Sequence, residues 1–306
     1  MESASRFGAL CVGKKGYDFL VGLCERERLP VFICSYSQSK DRSQSFERIR
    51  GFADKVGARF EETKSPRLEQ TDFPIFVVGW QYMIPELGQN LIVFHDSLLP
   101  RYRGFAPTMT ALMNGDTELG ITAFVPVEEV DAGPILAQAC TPIRHPMRLA
   151  EAFEIQSALM TDVAVNILNR SIGRNNLVQQ DATKATYSLW RDELDLFIDW
   201  HADAETVQRQ VYACGFPYGG ARGIYDGSII IIDDVELAPD ARFERRDVGK
   251  IGSIDGGKPV VVCGSGCVRI TKATDESGTI VAFDTLRSRF ITRDANWLPR
   301  LRCSSS

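Results

Sequence analysis

The sequence predicts an α/β fold: a Rossmann-like, mostly parallel sheet followed by a small C-terminal β-barrel-like (OB-like) domain. Three observations carry this expectation. Through the first half of the chain, short apolar runs alternate with amphipathic stretches of helical period, the pattern of right-handed βαβ units. Beyond residue 220, short apolar runs are broken by Gly- and Asp-containing turns at close spacing, as in a small barrel. And 306 residues are enough for two domains, each with its own core. The expected division is an α/β domain over 1–182, a linker over 183–200 and a β domain over 201–306.

Residues 7–13 read as a first buried strand, turned by Lys14-Lys15-Gly16 into a helix over 17–27 with Phe19, Leu20 and Leu23 on one side. A second strand over 30–34 leads through a polar stretch, 35–45, into a helix over 46–56. An extended piece begins at 57–60, and residues 73–80 make a strong strand. Residues 91–94, Leu-Ile-Val-Phe, are apolar throughout, as in a strand buried on both faces. Neither a G-x-G-x-x-G nor a Walker A sequence follows the first strand, and Gly13-Lys14-Lys15-Gly16 is too short for either. A dinucleotide or nucleoside-triphosphate site is thereby unsupported at that turn. Next come a helix over 103–115, a strand over 120–125 and a helix over 149–169 that closes the first domain. After a polar segment, 171–186, a helix over 204–213 precedes strands at 228–232, 250–254, 259–262 and 268–270. The run Ile229-Ile230-Ile231-Ile232 would be aggregation-prone unless buried, which predicts the innermost strand of the barrel.

Composition narrows the function. Hydrophobic content of 44% and charged content of 25% are ordinary for a soluble globular protein. No apolar run approaches the ~18 residues of a membrane span, so no membrane partner is expected. The N-terminus lacks the apolar core of a signal peptide, and Cys303-Ser304-Ser305-Ser306 reads as a frayed tail. Eight cysteines do not make a disulfide scaffold in a chain this long; Cys11 and Cys34 fall in predicted buried strands. Cys263 and Cys267 flank a Gly-Ser-Gly turn, and no second close pair completes a zinc site, so no metal is expected. A cytoplasmic, reducing location is the default expectation. The net charge of −5 argues against nucleic acid as the main substrate. Residues 201–302 carry 14 Lys/Arg and 14 Asp/Glu, so the second domain is balanced.

The chemistry concentrates where the strand at 91–94 runs into His95. Carboxyl ends of strands in open α/β sheets are where ligands bind, and imidazole exchanges a proton near neutral pH. The following residues, Asp96-Ser97-Leu98-Leu99-Pro100-Arg101-Tyr102-Arg103-Gly104, give a pattern His-x-Ser-Leu-Leu-Pro-x-Tyr-Arg-Gly. A second segment joins Gly120-x-Thr122 to Asp131-Ala132-Gly133-Pro134-Ile135. A third is Val77-Val78-Gly79-Trp80-Gln81-Tyr82-Met83-Ile84-Pro85, and a fourth combines Ala185-Thr186-Tyr187, Ile198-Asp199-Trp200 and residues 214–221.

Together these resemble the folate-dependent formyltransferases, a family that includes methionyl-tRNA formyltransferase, glycinamide ribonucleotide transformylase and the nucleotide-sugar N-formyltransferases. The resemblance implies N10-formyltetrahydrofolate as co-substrate and an amine as acceptor. It implies His95 as the base and Asp131 as its partner. It implies Trp80, Tyr82, Met83, Ile84, Leu98 and Asp131 as folate-binding residues. It places Asp96, Ser97, Pro100, Arg101, Tyr102, Arg103 and Thr122 toward the acceptor. Two roles fit Asp96, binding the acceptor amine or capping a turn, and Arg101 and Arg103 suit a diphosphate. The chain departs from the family at Val93, where an asparagine normally donates a hydrogen bond to the oxyanion. Three accounts remain open: a substitute donor such as Gln81 or a backbone N–H, a shifted loop, or an impaired, folate-binding relative.

Residues 35–50 hold Lys40, Arg42, Arg48 and Arg50 but also Asp41 and Glu47, without the basic cluster that a tRNA acceptor predicts. The expected acceptor is therefore a nucleotide-linked amino sugar, giving a formamido sugar for a glycan; methionyl-tRNA is the alternative. A homodimer is the expected assembly, as in resembling sugar enzymes.

Overall fold

The computed structural model describes residues 6–39, 41–85, 90–173, 175 and 177–292. The expected C-terminal tail lies outside these residues. The chain forms two compact units, the first over 1–111, 116–144 and 150–190, the second over 112–115, 145–149 and 191–306. Residues 183–190, which the sequence assigns to a linker, lie in the first unit.

The elements in order are β1 (Phe7–Cys11), α1 (Gly13–Glu25), β2 (Pro30–Ser35), α2 (Ser45–Val56), β3 (Arg59–Glu62), β4 (Ile75–Val78), β5 (Leu91–His95), β6 (Arg103–Gly104), α3 (Pro107–Asn114), β7 (Glu118–Phe124), β8 (Ile135–Pro142), α4 (Leu149–Leu168), β9 (Tyr187–Ser188), α5 (Ala204–Cys214), β10 (Ala221–Tyr225), β11 (Ser228–Ala238), β12 (Ile251–Asp255), β13 (Lys258–Val262), β14 (Cys267–Asp275) and β15 (Phe290–Ile291).

The first unit is built on a seven-stranded sheet in the order β3-β2-β1-β4-β5-β7-β8. It is parallel from β3 to β5, and β7 and β8 complete it antiparallel. Alternation along the strands separates two apolar layers, because successive side chains point to opposite faces. Phe76, Val78, Ile92 and Phe94 pack with Phe19, Leu20, Leu23, Ile49 and Met160 from the helices. Leu10, Ile75, Val77 and Leu91 build the other layer with Phe73 and Ile84, and Val93 rests against it. The unbroken apolar runs of β4 and β5 follow from this two-sided burial. His95 continues the face of Leu91 and Val93 at the strand end.

β8 escapes the sequence reading, because of its eight residues Leu136 alone is buried, which leaves little apolar signal. A short parallel pair, β6 with β9, ties the loop after His95 to residues 187–188.

The second unit carries a six-stranded antiparallel sheet in the order β12-β13-β14-β11-β10-β15. A bridge between Lys250 and Arg289, with the Phe290 amide donating to the Gly249 carbonyl, joins its two outer strands and curls it toward a closed barrel. β11 lies inside the sheet with Ile230 and Ile232 buried, the position expected for the isoleucine run. Trp200, Tyr225, Phe283 and Phe290 fill the core, and α5, capped by Asp203 through the Thr206 amide, lays Val207, Val211 and Cys214 against it. The sequence gives no warning of β10, where only Ile224 and Tyr225 are large and apolar.

Candidate active site

His95, 8% exposed, ends β5. Its Nε2 lies 2.7 Å from the Tyr102 carbonyl oxygen. A carbonyl oxygen only accepts, so Nε2 carries a proton and the lone pair of the neutral ring sits on Nδ1. That atom faces Asp131 Oδ2 at 3.6 Å. Burial pulls the imidazole pKa below its ordinary value. The Asp131 charge and the Tyr102 carbonyl oppose the shift, whereas Lys15 adds to it. The ring is therefore neutral at pH 7, with Nδ1 free to take a proton.

Asp131 is placed by backbone geometry as much as by its side chain. It adopts a left-handed conformation at φ +55°, which aspartate tolerates better than most residues. Its Oδ2 accepts the Gly104 amide at 2.8 Å. Two residues on, a Cβ at Gly133 would lie 1.8 Å from the Val125 carbonyl oxygen, so only glycine fits this turn. Tyr102 and Ala106 also take positive φ, at +61° and +47°. Strained backbone thus gathers around the imidazole, as it does at functional sites.

The loop after His95 is fastened from several sides. Thr122 Oγ1 donates to the Ser97 carbonyl at 2.6 Å and accepts the Leu99 amide at 3.0 Å and Gln138 Nε2 at 2.9 Å. Ser97 Oγ donates to the Arg101 carbonyl, and the Tyr102 amide donates to Thr186 Oγ1. The Thr186 amide donates to the Pro100 carbonyl. Tyr102 Oη donates to Asp116 at 3.0 Å and accepts from Arg101 Nη2 at 2.9 Å. Leu98 lies over Gly120, where a Cβ would sit 2.4 Å from the Leu98 Cγ.

This fastening involves several of the residues expected on the acceptor side. Thr122, fully buried, and Ser97 use their hydroxyls to hold the loop. Arg103 is 3% exposed, with its guanidinium held by Gln180 Oε1 at 2.8 and 3.1 Å and by Glu129 at 3.1 Å. The Tyr102 side chain is buried as well, and its backbone carbonyl is what bears on His95. Asp96 contacts the buried Lys15, whose ammonium also sits 4.5 Å from the Phe153 ring. Arg101 remains largely exposed beside Asp116.

The expected folate-side residues form a distinct wall. Tyr36 meets Trp80 and Tyr82 edge-on at 5.0 and 5.1 Å, and its hydroxyl accepts the Gln81 amide at 3.2 Å. That backbone N–H is thus already engaged, which weakens it as the substitute for an asparagine at Val93. Ile84 is buried beneath, while Tyr82 and Met83 are 45% and 65% exposed. Trp80 Nε1 is buried without a partner among the described residues. Exposed flat side chains beside an orphaned N–H suit a planar heterocycle with acceptor atoms on its edge. No cluster of metal-ligating residues occurs among the described residues.

Four contributors were not singled out from the sequence: Lys15, Gln138, Gln156 and Gln180. Gln156 Nε2 donates to the Asp96 and Gly120 carbonyls, fixing the residue after His95. Isolated glutamines in polar or mixed stretches carry no pattern that marks them.

Residues 61–158 match the formyl transferase family model and residues 192–289 match that of the formyl transferase C-terminal domain. Among curated proteins, the chain is 30% identical over 168 residues to a methionyl-tRNA formyltransferase of Borrelia turicatae, covering 55% of this chain and 54% of that one. It is 34% identical over 172 residues to one of Roseiflexus castenholzii, covering 56% and 53%. The chain thus spans about half the length of the curated relatives it matches. Among solved structures, HypX from Aquifex aeolicus superposes with a TM-score of 0.61 at 19% identity, covering 89% of this chain and 44% of that one. WlaRD, a sugar 3N-formyl transferase, superposes at 0.58 and 16% identity, covering 88% and 98%. At such identities the likeness to the solved structures is one of fold. With models for both an N-terminal and a C-terminal domain matched in order along the sequence, the chain belongs to the formyltransferase family.

Proposed function

We propose that this protein transfers the formyl group of N10-formyltetrahydrofolate to the primary amine of a nucleotide-linked amino sugar. The observation that carries the reaction type is the oriented pair His95–Asp131, a neutral imidazole whose free Nδ1 faces a carboxylate 3.6 Å away. The wall of Trp80, Tyr82, Met83 and Ile84 suits the pterin ring.

The chemistry balances with these residues. The acceptor nitrogen attacks the formyl carbon and forms the new C–N bond while His95 Nδ1 takes one amine proton. Asp131 stabilises the imidazolium so formed. The bond from the formyl carbon to N10 then breaks, and N10 receives a proton from His95. The products are a formamide and tetrahydrofolate.

The acceptor rests on charge. A balanced second domain and a mixed-sign stretch at 35–50 do not favour a polyanion such as tRNA. Of the similar structures, WlaRD was solved in the presence of dTDP, and the N-formyltransferase from Helicobacter canadensis in complex with dTDP-3-aminofucose. Methionyl-tRNA is the second reading, favoured by the names of the curated relatives.

The test is release of tetrahydrofolate from N10-formyltetrahydrofolate with a panel of nucleotide 3- and 4-amino sugars and with methionyl-tRNA, using His95→Ala as control. Turnover on a sugar, absent in the control, supports the proposal. Turnover on tRNA alone overturns the acceptor, and none with either, folate still binding, overturns the activity.

A further inference from the structure

We propose that Gln180 is the positioning residue that holds Asp131 against His95, and that residues 180–188 form an integral wall of the site. This deepens the reading of His95 and Asp131 above and rests on it.

The observation is that one side-chain amide spends both ends on the site. Gln180 Nε2 donates to the Asp131 carbonyl and to the Gly133 carbonyl, both at 2.7 Å. Its Oε1 accepts Arg103 Nε and Nη2 at 3.1 and 2.8 Å. The two segments so joined are those that flank His95. The loop at 102–104 supplies the carbonyl that fixes Nε2, and the turn at 131–133 supplies the carboxylate opposite Nδ1. Gly104 closes the same circuit, since its amide donates to Asp131 Oδ2.

The downstream residues act in the same sense. The Arg103 amide donates to the Thr186 carbonyl at 2.8 Å and the Phe105 amide to the Ser188 carbonyl at 3.0 Å. Residues 180–188 thus pin the His95 loop along its length. They lie between the two stretches matched by the family models, 61–158 and 192–289.

The need for such a clamp follows from Asp131 itself. A non-glycine residue at φ +55° persists only where its surroundings hold it. Its carboxylate is 3.6 Å from Nδ1, longer than a hydrogen bond, so the pair cannot secure its own geometry. The two amide protons of Gln180 are the groups that fix the carbonyls on either side of Ala132. Without them the backbone of the turn keeps the Gly104 amide on the carboxylate but loses both bonds to its carbonyls, and the carboxylate shifts relative to the imidazole.

The experiment titrates the three histidines, His95, His145 and His201, by NMR in isotopically labelled full-length protein, assigning His95 by its loss in His95→Gln. The variants are Asp131→Asn, Gln180→Met and Gln180→Glu. The Asp131 charge raises the His95 pKa, so its removal in Asp131→Asn moves the midpoint down. Gln180→Met is expected to move it in the same direction while the other two midpoints stay put, which reports an intact fold. Gln180→Glu keeps the acceptor for Arg103 but loses both donors to the turn. With an active acceptor in hand, both Gln180 variants are expected to lower kcat by about 10²-fold, with the KM for the formyl donor unchanged within threefold. An unmoved His95 midpoint in folded Gln180→Met, alongside a moved one in Asp131→Asn, overturns the proposal. So does Gln180→Glu with the wild-type rate. If no acceptor is turned over by the wild type, the proposed activity fails while the titration still decides the role of Gln180.

Discussion

Lys15→Met tests the buried ion pair behind the catalytic strand. Lys15 is 8% exposed, its ammonium contacts the carboxylate of Asp96, and it also lies beside the Phe153 ring. Methionine fills similar volume but leaves Asp96, whose side chain is 13% exposed, as an uncompensated buried charge. Removing one partner of a buried pair typically destabilises by about 3–5 kcal/mol. The same figure emerges from proton linkage. Each unit by which the lone carboxyl is pushed up, relative to its ordinary value, is about 1.4 kcal/mol at neutral pH, and an isolated buried carboxyl moves by a few units. The sign follows: a carboxyl raised in the folded state is protonated in both states at low pH, so the penalty vanishes below pH ~4 and is complete once the pH passes the raised value. Burial pulls the Lys15 amine down to about 7, so the pair is read below that value. Amide exchange of β1 and β5, measured in wild type and Lys15→Met at pH 4 and pH 6, reads the local stability of this unit. The expected loss is larger at pH 6 and small at pH 4, and Lys15→Met with Asp96→Leu recovers most of it. A loss below ~1 kcal/mol at pH 6, or one that grows on acidification, would refute the picture of an unpaired buried carboxylate.

Three further outcomes are expected. The formyl-transfer rate falls on the acid side as His95 is protonated, with a midpoint below the ordinary imidazole value of ~6.5, and Asp131→Asn moves that limb to still lower pH while lowering the plateau; a limb that moves upward contradicts the assigned pairing. Gly133→Ala drives a Cβ to 1.8 Å from a backbone oxygen, so the turn bearing Asp131 must shift; kcat is expected to drop by about 10²-fold with folate binding retained, and an unchanged rate removes the turn from the mechanism. Val93 lies on the His95 face, partly exposed beside the Ile84 layer, so Val93→Asn returns an oxyanion donor and is expected to raise kcat, the absence of one such donor being worth ~10²–10³ in other enzymes. A fall in rate would place the reacting carbonyl elsewhere.

How much of this was legible in the sequence depended on how local the signal was. The two-sided burial of β4 and β5 writes itself as Ile-Phe-Val-Val and Leu-Ile-Val-Phe, and His95 stands out because it ends such a run. β8 needed no apolar run, since it is an outer strand with Leu136 as its buried residue, and it stayed hidden. Lys15 reads as part of a turn into the first helix, and Asp96 as a ligand for the acceptor amine or a turn cap. Their burial is intelligible only once β1 and β5 lie in one sheet and each charge supplies the other's partner. Gln180 was invisible for the same reason, because its four contacts are to residues far away in sequence.

The signature at 95–104 also shows why chemistry-bearing residue types mislead when read one at a time. Ser97, Tyr102 and Arg103 all look suited to an acceptor, yet their polar groups are spent inside the protein. The reason lies in what a proton-transferring histidine demands. Nε2 must be locked as a donor so that Nδ1 is the basic atom, and the lock is a backbone carbonyl on a residue at positive φ. A carbonyl in that position holds only if the loop cannot relax. Thr122, Ser97, Thr186 and the Arg103–Gln180 pair each remove one way in which it could. In the reaction proposed above, the polar residues of the loop serve by fixing a tautomer, and selectivity for the acceptor falls to exposed groups such as Arg101.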